Sequence, residues 1–203
     1  MAAHLPTTEK GRATRLRILE AAARLISERG AGAVSLEDIE REAEVGRSQL
    51  YHYFYDRDDL VRTVIDVTTD AVLGAQDGLL DDLDSFAAID RWFDALVALQ
   101  DERGAIGGCP IGSLVGQLAE RDEPTRTALA AGFARWEQPL IDGLARMRDR
   151  GELKPEVSVQ VLADVTMAAI QGGLLLTQVR RDPQQLRHSL DGARTVLAAA
   201  AVV

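Results

Sequence analysis

The chain has 203 residues, 46% of them hydrophobic and only 4% aromatic, which is enough apolar side chain to build a core and too much for a disordered polymer. Its 23 basic and 32 acidic residues give a net charge of −9, which taken alone argues against a nucleic-acid binder. The single cysteine, Cys109, excludes an internal disulfide and fits a reducing cytoplasm, and no long uncharged apolar segment points to a membrane span.

Taken in chain order, Met1 to Glu9 has neither periodicity nor the apolar stretch of a secretory leader, and residues 1–10 read as a mobile tail. The charge is unevenly placed. Residues 1–29 carry six basic side chains (Lys10, Arg12, Arg15, Arg17, Arg24, Arg29) against Glu9, Glu20 and Glu28, so the acid excess lies downstream. A basic front end fits either a solvated helix or a small DNA-contacting surface. From Arg12 the spacing is helical: Ile18, Ala21, Ala22, Leu25 and Ile26 share one face, and Gly30 closes the helix. Ser35 and Asp38 form a capping-box pattern for a short second helix with Leu36, Ile39 and Ala43 inward. After a break at Glu44-Val45-Gly46, a third short helix runs from Arg47 to Phe54, and Asp56 caps a fourth that reaches about Leu79.

The remainder is helical as well. Phe86 to Gln100 is amphipathic, and a glycine-rich loop from Gly104 to Gly112 leads into a short helix beginning at Pro110. Asp122 and Pro124 open a long helix ending at Gly151, with a kink expected at Pro139, which has no N–H to donate. Helices from Val157 to Arg180 and from Asp182-Pro183 to Ala201 complete an all-α chain of about nine helices.

Three short helices with two tight breaks in the first 55 residues suggest a helix-turn-helix, whose second member enters the major groove. In Val45 to Phe54, the apolar Val45, Leu50 and Phe54 are expected inward. Arg47, Ser48, Gln49, Tyr51, His52 and Tyr53 are then left as a polar and aromatic outer surface. Arginine suits guanine edges, glutamine suits adenine edges, and tyrosine and histidine reach phosphate.

These residues resemble the N-terminal domain of the TetR family of transcriptional regulators. Arg17-Ile18-Leu19-Glu20-Ala21-Ala22 is similar to its first helix and Val34-Ser35-Leu36-Glu37-Asp38-Ile39 to its second. Leu50-Tyr51-His52-Tyr53-Phe54 followed by Asp56-Arg57-Asp58-Asp59-Leu60 is similar to its recognition helix and the entry to helix four. The resemblance implies a nine-helix homodimer that binds double-stranded operator DNA. It divides the chain into a DNA-binding domain at 11–56 and a ligand-binding and dimerisation domain at 57–203, with helix four as the lever between them. It also implies DNA-facing roles for Ser35, Arg47, Ser48, Gln49, Tyr51, His52 and Tyr53, and a phosphate contact for Arg57. Two positions depart from the family pattern: Glu44 where the turn commonly has glycine, and Gly46 where the cap is commonly serine or threonine.

A second likeness is to the C-terminal domain of the LmrA-like branch, associated with control of efflux and detoxification genes. It rests on Gly107-Gly108-Cys109-Pro110-Ile111-Gly112, Ala131-Gly132-Phe133-Ala134-Arg135-Trp136 and Gln171-Gly172-Gly173-Leu174-Leu175. Trp92, Phe93, Phe133, Trp136, Met167 and Gln171 fit either the lining of a pocket for a small, mostly apolar effector or plain core. Cys109, just before a helix N-terminus, fits either a thiol sensor activated by the helix dipole or a small buried side chain at a turn. For dimerisation, Val165, Ala168, Ala169, Gly172 and Leu176 on one helix, with Leu186, Leu190, Ala193, Val196 and Leu197 on the next, suggest a four-helix interface across a two-fold axis.

Other classes have little to stand on. The three histidines (His4, His52, His188) make no metal-ligand spacing, no nucleophile elbow or phosphate loop is present, and Cys109 has no evident base. The chain is therefore expected to be neither an enzyme nor a cofactor protein, nor to hold a metal or contact a membrane. An all-helical interaction protein with a vestigial DNA domain is the remaining alternative, supported by Glu44 and the acidic balance.

Overall fold

A computed structural model describes residues 6–202. Among them it contains nine helices: α1 (Glu9–Arg29), α2 (Leu36–Glu42), α3 (Arg47–Tyr53), α4 (Arg57–Gly74), α5 (Phe86–Glu102), α6 (Pro110–Leu118), α7 (Glu123–Asp149), α8 (Val159–Arg180) and α9 (Gln184–Ala200). The all-α expectation holds, and the differences lie at helix ends. α1 begins inside the expected tail because Thr8 caps it, its hydroxyl accepting from the Gly11 amide at 3.1 Å; the Met1–Leu5 part of that tail lies outside the described residues. α4 stops at Gly74 rather than near Leu79. Beyond it the chain folds into successive turns (Gln76 N–H to Leu73 C=O 2.9 Å, Leu79 N–H to Gln76 C=O 3.0 Å) around a left-handed Gly78 at φ 75°. α7 continues as one helix across Pro139.

The chain forms two compact units. The first runs to Val72 and adds Ser113–Gly132; the second is Leu73–Gly112 with the chain from Phe133 onward. The sequence-based boundary at residue 56 is thus not where compactness changes, because α4 and α6 complete the first core. Ile18, Ala22, Leu25 and Ile26 of α1 are buried with Ile39 of α2, Leu50 of α3, Leu60, Val64 and Ile65 of α4, and Leu114 and Leu118 of α6. Gly30 ends α1 at φ 85°, as expected.

In the second unit α8 and α9 pack on each other. Leu162, Met167, Ile170 and Leu174 of α8 and Leu186, Leu190, Ala193 and Leu197 of α9 are all buried within this one chain. The expectation that those four α9 side chains face a partner therefore fails: they are used internally. α8 instead exposes Val161, Val165, Leu175, Leu176 and Val179, and α9 exposes Val196. By length and composition α8 is apolar enough to cross a bilayer, a segment the sequence reading overlooked. Part of that helix is buried against α9.

Two further features fix this unit. On α7, Gly143 admits the Leu83 carbonyl so closely that a Cβ there would lie 2.0 Å from its oxygen. Arg194 of α9 joins α5 through Asp90 and Asp94 at 2.7 and 2.8 Å, while its guanidinium sits 5.4 Å over the Phe93 ring. The segment before α8 and the end of α9 meet in an isolated antiparallel bridge between Leu153 and Ala201.

Candidate nucleic-acid interface

The helix-turn-helix is built by local chemistry. Ser35 caps α2 in a reciprocal box: its hydroxyl accepts from the Asp38 amide at 3.1 Å, and the Asp38 carboxylate accepts from the Ser35 amide at 3.1 Å and hydroxyl at 2.7 Å. Those bonds hold the Asp38 carboxyl below its ordinary range. α2 ends at Ala43, and the turn is made by Glu44 at φ 52°, the left-handed conformation that glycine adopts without strain. Gly46, extended at φ −83° and ψ 158°, opens α3 with no side-chain cap, and its carbonyl accepts from the Leu50 amide at 3.1 Å.

On α3, Arg47, Ser48, Gln49, Tyr51 and His52 are exposed, and Leu50 is fully buried. Tyr53 corrects the sequence reading: it is 7% exposed, against 46% for Tyr51, and so is not on the outer surface. Its position explains this. In a helix the inward neighbours of Leu50 are i+3 and i+4, which are Tyr53 and Phe54. The His52 ring meets the Tyr53 ring edge-on at 4.9 Å, and Arg15 of α1 lies 5.4 Å over the Phe54 ring.

Arg57 is the second correction. Rather than facing outward for phosphate, its Nη2 donates to the carbonyls of Ala31 and Val34, the latter at 3.2 Å. The same α1–α2 connection is also held by Gln117 of α6, whose Oε1 accepts from the Ala31 amide at 2.7 Å. Sequence reasoning missed Gln117, since its partner lies 86 residues away. Acids crowd the same region. Arg47 Nε lies 3.8 Å from Glu40 Oε1 and Arg47 Nη2 4.0 Å from Glu37 Oε1. A neighbouring cleft of about 320 Å³ is lined by Arg17, Glu20, Arg24, Glu42 and Glu44, and Arg24 pairs with both Glu42 and Glu28.

The residues expected to meet an effector form two groups in the second unit. Trp92 and Trp136 are fully buried, and both indole N–H groups donate to Oε1 of one side chain, Gln76, at 2.7 and 3.1 Å. Phe93 is buried 5.5 Å from Trp92, and half-buried Phe133 lies 6.4 Å from Trp136. The polar partner of the tryptophans is thus Gln76 rather than Gln171; with only one glutamine among residues 70–80 and no periodic signal, nothing in the sequence marked it. Met167 is buried on α8. Cys109, Gly112 and Gln171 form the other group. The Gly112 amide donates to Cys109 Sγ at 3.3 Å, and without a Cβ on Gly112 the Gln171 Oε1 atom comes to 2.8 Å from where that Cβ would lie. Burial pushes the Cys109 thiol up, against a weaker opposing hydrogen bond from the Gly112 amide. Of the two readings of Cys109, this setting favours the small buried side chain at a turn.

Comparison with known proteins agrees with the helix-turn-helix. Residues 18–64 match the model of bacterial regulatory proteins of the tetR family, and residues 86–193 match the tetracyclin repressor-like C-terminal domain. An HTH-type transcriptional regulator of Mycobacterium tuberculosis is 31% identical, with 86% of this chain and 90% of that protein covered. The HTH-type transcriptional repressor DhaR of a Mycobacterium species is 24% identical, with coverage of 87% and 88%. A TetR transcriptional regulator from Chloroflexus aurantiacus superposes with a TM-score of 0.79 over 96% of this chain and 98% of its own; at 21% identity that bears on the fold alone. Regulators of this family bind operator DNA, act as dimers and are not enzymes. The chain belongs to the TetR family: it is a transcriptional regulator with an N-terminal helix-turn-helix DNA-binding domain.

Proposed function

We propose that this regulator is a ligand-responsive repressor that reads a near-palindromic operator through Arg47, Ser48, Gln49, Tyr51 and His52. The observation that carries the reading is the division of α3: these five side chains are exposed while Leu50 and Tyr53 anchor the helix. Repression agrees with the name of DhaR, a repressor. The exposed apolar residues of α8, Val161, Val165, Leu175, Leu176 and Val179, support pairing of this helix with its copy. Two-fold symmetry in the protein is then mirrored in the site. Action in the cytoplasm, away from membranes, follows from a DNA target.

The effector in this reading is a small, mostly apolar molecule carrying a hydrogen-bond acceptor. Gln171 supports it: its Nε2 is buried with no hydrogen-bond partner, beside Cys109 and on the same helix as Met167. Trp92, Phe93 and Trp136 are packed as core, which leaves half-buried Phe133 as the aromatic face open to a ligand. Regulated genes for efflux or detoxification follow from the LmrA-like glycine and cysteine segment. To lower operator affinity a hundredfold the effector must favour the non-binding form by about 2.7 kcal/mol.

The test begins with a duplex selected from a random-sequence pool by the wild-type protein. Arg47→Ala should weaken its binding by about 1–3 kcal/mol if the guanidinium meets a base edge. The combined variant Arg47→Ala, Gln49→Ala, His52→Ala should lose discrimination between that duplex and a scrambled one. Full discrimination by a folded combined variant would sink the reading.

A further inference from the structure

α2 carries Glu37 and Glu40 one turn apart, and both approach Arg47, the first residue of α3. The two acids differ in setting. The Glu37 side chain is 74% exposed, whereas that of Glu40 is 16% exposed, and Glu40 Oε1 is buried with no hydrogen-bond partner. Glu40 Oε1 is therefore compensated by charge, through Arg47 Nε at 3.8 Å, and not by a hydrogen bond. Both ion-pair contacts fall on Nε and Nη2 of the guanidinium, and neither uses Nη1.

We propose that Glu40 is a positioning residue for Arg47: it orients the guanidinium at the head of α3 toward a base edge and restrains it from capture by the phosphates of unrelated DNA. A long, flexible arginine at a protein surface finds phosphate oxygens on any sequence, and such contacts position without specifying. A carboxylate beside Nε opposes that in two ways. It limits the orientations the side chain adopts, and it repels the phosphate that would replace it. A base edge met by the far end of the guanidinium leaves the Nε contact in place. Glu40 thus weakens binding to every duplex but weakens non-specific binding more. This rests on the reading of α3 as the base-reading helix.

Glu40→Gln is isosteric and removes only the charge. Binding is measured by fluorescence anisotropy to the pool-selected duplex and to a scrambled duplex of the same composition. Glu40→Gln should bind the scrambled duplex more tightly, with the log–log salt slope on it steeper by about 0.9, one added phosphate contact. The affinity ratio between the two duplexes should fall roughly threefold to tenfold, part of the discrimination of one base contact. In the Arg47→Ala background the same substitution should change the ratio by less than about 1.5-fold, because its target is gone. Glu40→Asp keeps the charge but shortens the reach; it should lose part of the ratio, and it decides the matter if Glu40→Gln does not fold. An equal loss of ratio with and without Arg47 overturns the proposal, as does an unchanged ratio in Glu40→Gln when Arg47→Ala alone abolishes it. If Arg47→Ala itself keeps the full ratio, Arg47 reads no base and the proposal fails, while the reading of α3 is decided by the combined variant.

Discussion

On α3 the polar side chains lie outside and the apolar ones inside, so Arg47, Gln49 and His52 are exposed while Leu50 is fully covered. The second unit does the reverse with its amides. Gln76 and Gln171 are turned in, one gathering the N–H groups of Trp92 and Trp136 and the other holding its Nε2 without a partner. The first arrangement costs little to maintain, because exposed polar groups are solvated in the free protein. The second is demanding, since a buried donor or acceptor left unmade is expensive. Substitutions in the first region should therefore act on binding with the fold intact. Substitutions in the second should act on the fold first.

The sharpest contrast is steric. Gly143→Ala would set a methyl 2.0 Å from the Leu83 carbonyl oxygen and 2.5 Å from its carbon, both backbone atoms that cannot rotate away. We expect a loss of more than about 3 kcal/mol in urea unfolding, beyond the usual overpacking range. Gly116→Ala, on α6 of the first unit with open space around it, should instead gain about 0.5–1 kcal/mol. A stable Gly143→Ala protein would mean that the Leu83 connection yields, and that this unit is less demanding than its packing suggests.

Next in size is a pair of tyrosines two residues apart. Tyr53→Ala removes a buried ring and should cost about 3 kcal/mol of stability. Tyr51→Ala, at an exposed position, should stay within about 0.5 kcal/mol of wild type in stability while weakening operator binding. If the two variants lose operator affinity in the same proportion as they lose stability, α3 does not divide its roles by face.

In the second unit Gln76→Leu leaves two buried indole N–H groups unmade. At about 1–3 kcal/mol for each, destabilisation should reach ~2 kcal/mol or more, with a shift of tryptophan emission in the folded protein. A variant of unchanged stability and emission would show that the tryptophans do not depend on Gln76, and would revive their reading as a ligand-facing pair.

The two regions also differed in how far the sequence revealed them. Helices were legible throughout because apolar residues recur at helical spacing, and caps such as Ser35 with Asp38 and the glycine at 30 are local chemistry. The α3 surface was legible for the same reason, except at Tyr53, where the i+3 neighbour of Leu50 went uncounted. What was not legible depends on distant partners. Arg57 has the type and place of a phosphate contact, yet it spends its guanidinium on two carbonyls 23 and 26 residues upstream. Gln76 sits in a turn that looked like the end of α4, and its role arises only when residues 16 and 60 positions later converge on it. Cys109 lies just before α6, but spacing does not show how deeply a side chain is buried, and burial pushes this thiol up.

The smallest effect separates two serines that sequence alone would treat alike. Ser48 is exposed on α3, whereas Ser35 spends its hydroxyl in the α2 capping box. Ser48→Ala should leave stability unchanged, and loss of the Ser35 hydroxyl as a cap should cost about 1 kcal/mol near neutral pH. The two also differ in pH dependence. The Ser35 hydroxyl and amide hold the Asp38 carboxyl below its ordinary value of 3.8. A carboxyl depressed in the folded state contributes stability that is complete above the unfolded value and is lost as pH falls through the folded one. Ser35→Ala removes the larger of the two hydrogen bonds to that carboxylate, so the variant has less of this contribution to lose. The difference in urea midpoint between wild type and Ser35→Ala should therefore hold steady above about pH 5 and narrow below about pH 4. It should not vanish, because the Ser35 hydroxyl still accepts from the Asp38 amide when the carboxyl is protonated. A difference that stays constant down to about pH 2 would show that the hydroxyl acts on the helix backbone alone and not through Asp38.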